Sequence, residues 1–151
     1  MLSGIGEKWE RAAPCLSKRN SAAGAVINGQ LHIGGRQVGG GNLAVHEVYD
    51  SSEDRWREAA PMPQTQGGLA AAALEGKLYA FGGEYFDNGG GVYPESWVYN
   101  PQTDSWGSLP DMPSPRHGLG AVTLGSSIYV IGGAKQASGI DTSPIVERFR
   151  P

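Results

Sequence analysis

The sequence predicts an all-β fold in which one four-stranded antiparallel unit is written three times. Three recurring markers carry that expectation, and internal repetition outranks local propensity when the two compete. Tryptophans stand at Trp9, Trp56 and Trp106, 47 and 50 residues apart. Diglycines stand at Gly34-Gly35, Gly82-Gly83 and Gly132-Gly133, each 25 or 26 residues beyond a tryptophan. Tyr49 and Tyr99 each precede the next tryptophan by seven residues, and Phe149 takes that place in the third unit. A proline follows each tryptophan (Pro14, Pro61 and, one place earlier, Pro110). The order is the same three times.

Within each unit the local pattern reads as strands. A small, apolar first strand covers 21–27, 67–74 and 118–124. The two-residue turns Asn28-Gly29, Glu75-Gly76 and Gly125-Ser126 follow, and Asn-Gly suits a hairpin turn because both residues tolerate positive φ. The second strand is 30–33, 77–81 and 127–131; the third is 45–49, 96–99 and 145–149; a short fourth carries the tryptophan. One segment dissents. Ala70 to Ala73 is helix-forming by propensity, but it is too short for an independent helix. It also aligns with strand-like stretches in the other units, so a strand is expected there.

The totals agree with a turn-dense β domain. Of 151 residues, 24 are glycine and 10 proline, while 39% are hydrophobic. Four Trp, six Tyr and three Phe argue against disorder. The expectation is a single domain over 1–151, with units at about 9–50, 56–100 and 106–150. A net charge of −3 without long runs of either sign gives no electrostatic reason to expect nucleic acid or an anionic membrane surface. The longest apolar stretch, 69–74, is too short to span a bilayer. Cys15 is the lone cysteine and the N-terminus lacks a secretory pattern, so a reducing, cytoplasmic setting is expected.

Four strands in about 50 residues, a diglycine closing the second strand, then a spaced tyrosine and tryptophan: this resembles the Kelch repeat of β-propellers. The likeness covers nearly the whole chain. It implies three blades, with Tyr49, Tyr99, Phe149 and the tryptophans filling the seams between neighbouring blades. Propeller rings hold four to eight blades, so three are an open arc. Trp9 belongs to a fourth strand with no first three ahead of it, and the third unit ends at Phe149 after three strands. Two arrangements are expected: a homodimer in which each first strand completes the partner's last blade of a six-bladed ring, or further blades missing from this chain.

Function on such a scaffold lives in its loops. The family's usual binding surface is one end of the ring, formed by the loops entering each first strand and those joining strands two and three. The lead-in loops hold Arg19 and Asn20, Thr65 and Gln66, and Arg116 and His117. Kelch repeats that read acidic peptides place arginine here, where its planar donors grip carboxylates; Gln66 would leave such a site discontinuous. The loops after the diglycines, 36–43, 84–94 and 134–143, differ from one another as ligand-specific loops do. Arg36, Tyr85, Phe86 and Lys135 are their candidate binding side chains.

The expected function is a protein- or peptide-binding module, its partner an acidic one. The rival is a sugar-processing propeller enzyme of the sialic-acid epimerase or mutarotase kind, in which Arg19, Arg116, His117 and Glu84 would act. No cofactor or metal is expected. The three histidines and one cysteine make no ligand set of recognisable spacing. His32 replaces the tyrosine of Tyr79 and Tyr129 and reads as packing. His46 reads as lying on a solvated face. Asp54 and Asp104 read as turn residues. Glu47 and Glu147 read as cross-strand partners on the third strand, with Ser96 between them in the series. Gly39-Gly40-Gly41 and Gly89-Gly90-Gly91 open no helix, so they are loops and not phosphate cradles.

Overall fold

A computed structural model describes residues 8–35 and 42–151. Three antiparallel sheets follow one another along the chain. The first holds β1 (Ala22–Ile27), β2 (Gln30–Gly35), β3 (His46–Asp50) and β4 (Arg55–Ala59) in sequence order. The second holds β5 (Ala70–Leu74), β6 (Lys77–Phe81), β9 (Ser96–Asn100) and β10 (Ser105–Leu109). A two-stranded hairpin, β7 (Glu84–Tyr85) with β8 (Gly91–Val92), interrupts its 84–94 loop. The third holds β11 (Gly120–Leu124), β12 (Ser127–Ile131) and β13 (Val146–Phe149), the three strands expected of a unit that reaches Phe149. The polyalanine segment is strand β5, as the repeat required. Each sheet begins after its lead-in loop, so a sequence unit counted from tryptophan runs across a sheet boundary. No helix among the described residues is long and apolar enough to cross a membrane.

The sheets are blades around a common centre. Their first strands lie side by side, β1 against β5 and β5 against β11. Alternation along each strand gives every blade a forward and a backward face. The forward face of the second blade (Ala72, Leu74, Tyr79, Phe81) packs on the backward face of the third (Ile128, Val130). Ile27 of the first blade packs likewise on Leu78 of the second. Leu74 is 8% exposed, whereas its counterpart Leu124 is 69% exposed because no described blade covers it.

The turns obey the expected chemistry. Asn28, Gly29, Glu75 and Gly76 all have positive φ, the type I′ pattern. In the third hairpin Gly125 is positive and Ser126 is not, which is the type II′ pattern. The diglycines serve close approach. A Cβ on Gly82, at φ +62, would stand 2.3 Å from the Arg116 carbonyl oxygen of the next blade. The same carbonyl accepts from the Gly83 amide at 3.0 Å.

The tyrosine–tryptophan pairs are the seams. Tyr49 faces Trp56 and Tyr99 faces Trp106 across their strands, with rings 5.0 and 5.2 Å apart. Trp106 Nε1 donates to Ala60 O, and Asp104 accepts both from Tyr99 Oη and from the Ala60 amide. Trp56, Asp54, Tyr49 and Ala13 repeat this arrangement one blade earlier. The two aspartates are therefore more than turn residues: each ties a tyrosine to the backbone of the preceding link. Burial and the bond to Asp104 push the Tyr99 phenol up to about 12.

His46 is fully buried, not on a solvated face. Its Nε2 lies 3.0 Å from His32 Nδ1 and its Nδ1 lies 3.2 Å from Ala60 O. The carbonyl can only accept, so His46 carries its proton on Nδ1 and accepts from His32 through Nε2. Tyr99 and Trp106 close around it, edge to face. The chain of donors needs a neutral His46, whose Nε2 must accept, and burial, the largest cause, pushes both rings down from 6.5 to about 4. Between those values the unfolded chain binds protons that the folded chain does not. Stability is thus complete above pH 6.5 and falls as pH drops towards 4, by on the order of 1 kcal/mol per pH unit for each histidine. Urea titrations at pH 7 and pH 5 should show the loss, and the His32→Tyr variant should flatten the dependence. An unchanged midpoint across that range would count against a neutral buried pair.

Candidate functional site

The lead-in loops and the strand-two ends meet at one end of the blades, the end expected to bind. Three lead-in residues hold the same conformation: Ser21, Gly68 and Gly118, at φ +49, +64 and +62. They are linked in series, Gly118 N to Gly68 O at 2.7 Å and Gly68 N to Ser21 O at 3.1 Å. A cleft of about 350 Å³ opens over this ladder, lined by Ser21, Gly68, Leu69, Glu84, His117 and Leu119, among others.

Arg19 and Arg116 do not line it. Arg19 donates to Gly35 O and Val45 O at 2.8 and 3.0 Å and lies 3.1 Å from Glu47, and both side chains are buried. Arg116 donates to Gly132 O and Ile145 O, at 2.5 and 3.0 Å, and to Glu147 Oε2 at 2.9 Å. Its side chain is wholly buried. These guanidiniums grip the blade's own backbone, which corrects their reading as ligand-facing residues. Gln66 does the same in the second blade. It is buried, and its Nε2 donates to Gly82 O at 2.7 Å. What looked like a discontinuous anion site is one structural device used three times.

The register also corrects the alignment of the acids. Glu47 stands opposite Ile33, Glu147 opposite Val130, and Trp97 opposite Ala80. Trp97, not Ser96, therefore occupies the glutamate position in the second blade. Where the lead-in arginine is lost, the glutamate is lost with it. That paired change was readable in the sequence and is the signal that would have placed both arginines inside.

The remaining expected residues divide by exposure. Asn20 and Lys135 are exposed. Tyr85 is half-buried and stacked on Tyr93 at 4.9 Å, folded onto its own loop beside Gly91. Phe86 is 43% exposed. Arg36 and the 39–41 glycines lie outside the described residues. His117 is buried, with Nδ1 3.4 Å from Glu84 Oε2 and Nε2 2.9 Å from Gln136 O. The Gly139 amide also approaches Nε2, at 3.2 Å. One nitrogen cannot donate to Gln136 and accept from Gly139 together. The ring therefore either holds the carbonyl, or accepts from Gly139 while turning an Nδ1 proton to Glu84. Among the described residues no three His, Cys, Asp or Glu side chains are placed to hold a metal.

Glu84 Oε2 accepts from Ser138 N at 2.9 Å, which joins the 84–94 and 134–143 loops. Between them runs a groove of about 340 Å³ lined by Phe86, Lys135, Gln136, Ser138 and Ile140 together with the 89–91 glycines. Ile140 is exposed.

A Kelch motif matches residues 67–113, from the lead-in of β5 to the link beyond β10. The solved structure of YjhT, a propeller, superposes with a TM-score of 0.68 and 26% identity, covering 83% of this chain and 37% of that one. The chain thus carries a Kelch repeat at residues 67–113 within a propeller fold. It spans little more than a third of the length of YjhT. Comparison with curated proteins finds no match.

The ion pair inside the third blade can be tested by substitution. Arg116→Gln, which keeps a donor for Gly132 O but strands Glu147, should cost on the order of 3 kcal/mol in chemical denaturation. Adding Glu147→Gln should return roughly 1 kcal/mol or more. Simple additivity of the two changes would remove the pair from the account.

Proposed function

We propose that this Kelch chain is a protein- or peptide-binding module, and that its ligand seats in the groove between the 84–94 and 134–143 loops. The supporting observation is the joining of these two loops across neighbouring blades, with Phe86, Ile140 and Lys135 all exposed in the lining of the groove. An exposed aromatic next to an aliphatic is the usual anchor of a recognition surface. Three glycines, 89–91, are among the groove's lining residues, so an extended peptide can approach the backbone there closely. Lys135 favours a ligand that brings a carboxylate, and it takes over that role from the buried arginines. Glu84, 5% exposed and bonded to Ser138, lies below the rim and offers such a ligand little repulsion.

A second reading rests on the meeting of Glu84 and His117 at the cleft, a carboxylate and an imidazole within 3.4 Å. A sugar-processing enzyme of the sialic-acid kind would use such a pair for proton transfer. Against it, among the described residues no arginine lines that cleft to hold an acidic sugar.

Panning a displayed peptide library against the chain separates the two readings. Enrichment of acidic peptides with an apolar anchor is expected. Phe86→Ala should weaken the winning peptide by about tenfold or more, as loss of an interface anchor does, and Lys135→Ala should relax its acidic preference. Enriched peptides indifferent to both substitutions would move the site elsewhere. An acidic-sugar anomer interconverted by the chain, and no longer so after His117→Gln, would favour the enzyme.

A further inference from the structure

Each tryptophan seam in this chain is a nest with a fixed inventory. Trp106 sits against Tyr99, His46 and Met62, and its indole N–H reaches Ala60 O. Moving one blade along, the same positions are Phe149, Ser96, Met112 and Pro110. These four residues line an open, largely apolar pocket of about 320 Å³ beside the outer edge of β13. No strand among the described residues pairs with that edge. The pocket is the third tryptophan nest, without its tryptophan.

We propose that a second copy of this chain fills it, placing Trp9 in the pocket and the backbone around Trp9 along β13. Trp9 is 103% exposed and belongs to no sheet of its own chain. Four residues on, Ala13 meets Trp56 and Asp54 as Ala60 meets Trp106 and Asp104. Residues 9–13 therefore stand as the end of a fourth strand and the link that follows it.

What the two halves lack also matches. In the formed seams an aspartate two residues before the tryptophan binds a tyrosine hydroxyl and an alanine amide. The open nest has Phe149 for the tyrosine and Pro110 for the alanine, so it has neither the hydroxyl nor the amide. The sequence two residues before Trp9 has Glu7 for the aspartate. A sequence without that aspartate thus meets a nest without its partners, while the carbonyl of Pro110 remains to accept from the indole.

The faces agree as well. Val122, Leu124, Ile131 and Val146 are exposed on the third blade, Val26 and Leu16 in the first blade and its lead-in. The second blade, covered on both sides, exposes none of its apolar strand side chains to that degree. Two copies joined head to tail twice, about a two-fold axis, cover all of these and close six blades. Within one copy the arrangement is out of reach. Ala13 is fixed to the first blade, and the four residues back to Trp9 span at most about 14 Å, whereas the nest lies two blades away.

Sedimentation of the intact chain over a micromolar concentration series tests this. A closed dimer is expected, with no larger species. Trp9→Ala should leave the far-UV circular dichroism unchanged, since the side chain touches nothing in the single copy, yet weaken self-association by about 30-fold or more, as a central tryptophan anchor does. A synthetic peptide of residues 3–14 should bind the Trp9→Ala chain, and the same peptide with alanine at that position should not. A monomer at every concentration, a dimer indifferent to Trp9→Ala, or open-ended polymers would each overturn the proposal. The first of these would point to a continuation of the chain or another protein as the occupant.

Discussion

One carbonyl in each blade governs how the chain turns the corner from its second strand. Gly35 O, Gly82 O and Gly132 O stand where the second strand ends, and an unmet acceptor there costs free energy. A side chain from the lead-in loop, Arg19, Gln66 or Arg116, reaches 16 residues along the chain and satisfies it. That bond fixes the lead-in loop against the strand end. The loop's backbone is thereby held close enough that the next diglycine must be free of Cβ atoms. The Ser21, Gly68 and Gly118 ladder and the cleft above it follow from the same placement.

Two chemistries solve this problem. Arginine brings several donors and reaches two carbonyls at once, but its buried charge must be answered, and Glu47 and Glu147 answer it. Glutamine brings one useful donor and no charge, and the second blade replaces the acid with Trp97, which packs on Met62, Leu69 and Ala80. An ionic blade and an apolar blade thus share one backbone. The choice is made inside each blade, so neighbours need not agree.

The spacing of glycines and aromatics made the blades legible, because a repeat sums weak local signals. It overrode the helix preference of Ala70 to Ala73 and located the turns to within a residue or two. The site was less readable. Lead-in arginines look alike in sequence whether they face a ligand or their own blade, since the deciding fact is which strand-three acid lies within reach. His46 is hard to place for a related reason: in strand alternation it takes the place of Ser96 and Val146, one polar and one apolar, and only the seam behind it shows that a donor there is wanted by Ala60. The junction of Glu84 with Ser138 joins residues 54 apart through a side chain and a loop amide, and no periodicity encodes it.

The ladder along the lead-in loops has a direction. Every amide in it points back towards the earlier blade and every carbonyl forward to the later one. The blade faces share this sense, because the side that packs forward is never the side that packs backward. The arc is consequently a vectorial object, like a row of tiles with tongues on one side and grooves on the other. It can be lengthened only nose to tail, and mirror-like stacking of two equal ends is denied to it by the handedness of its own backbone.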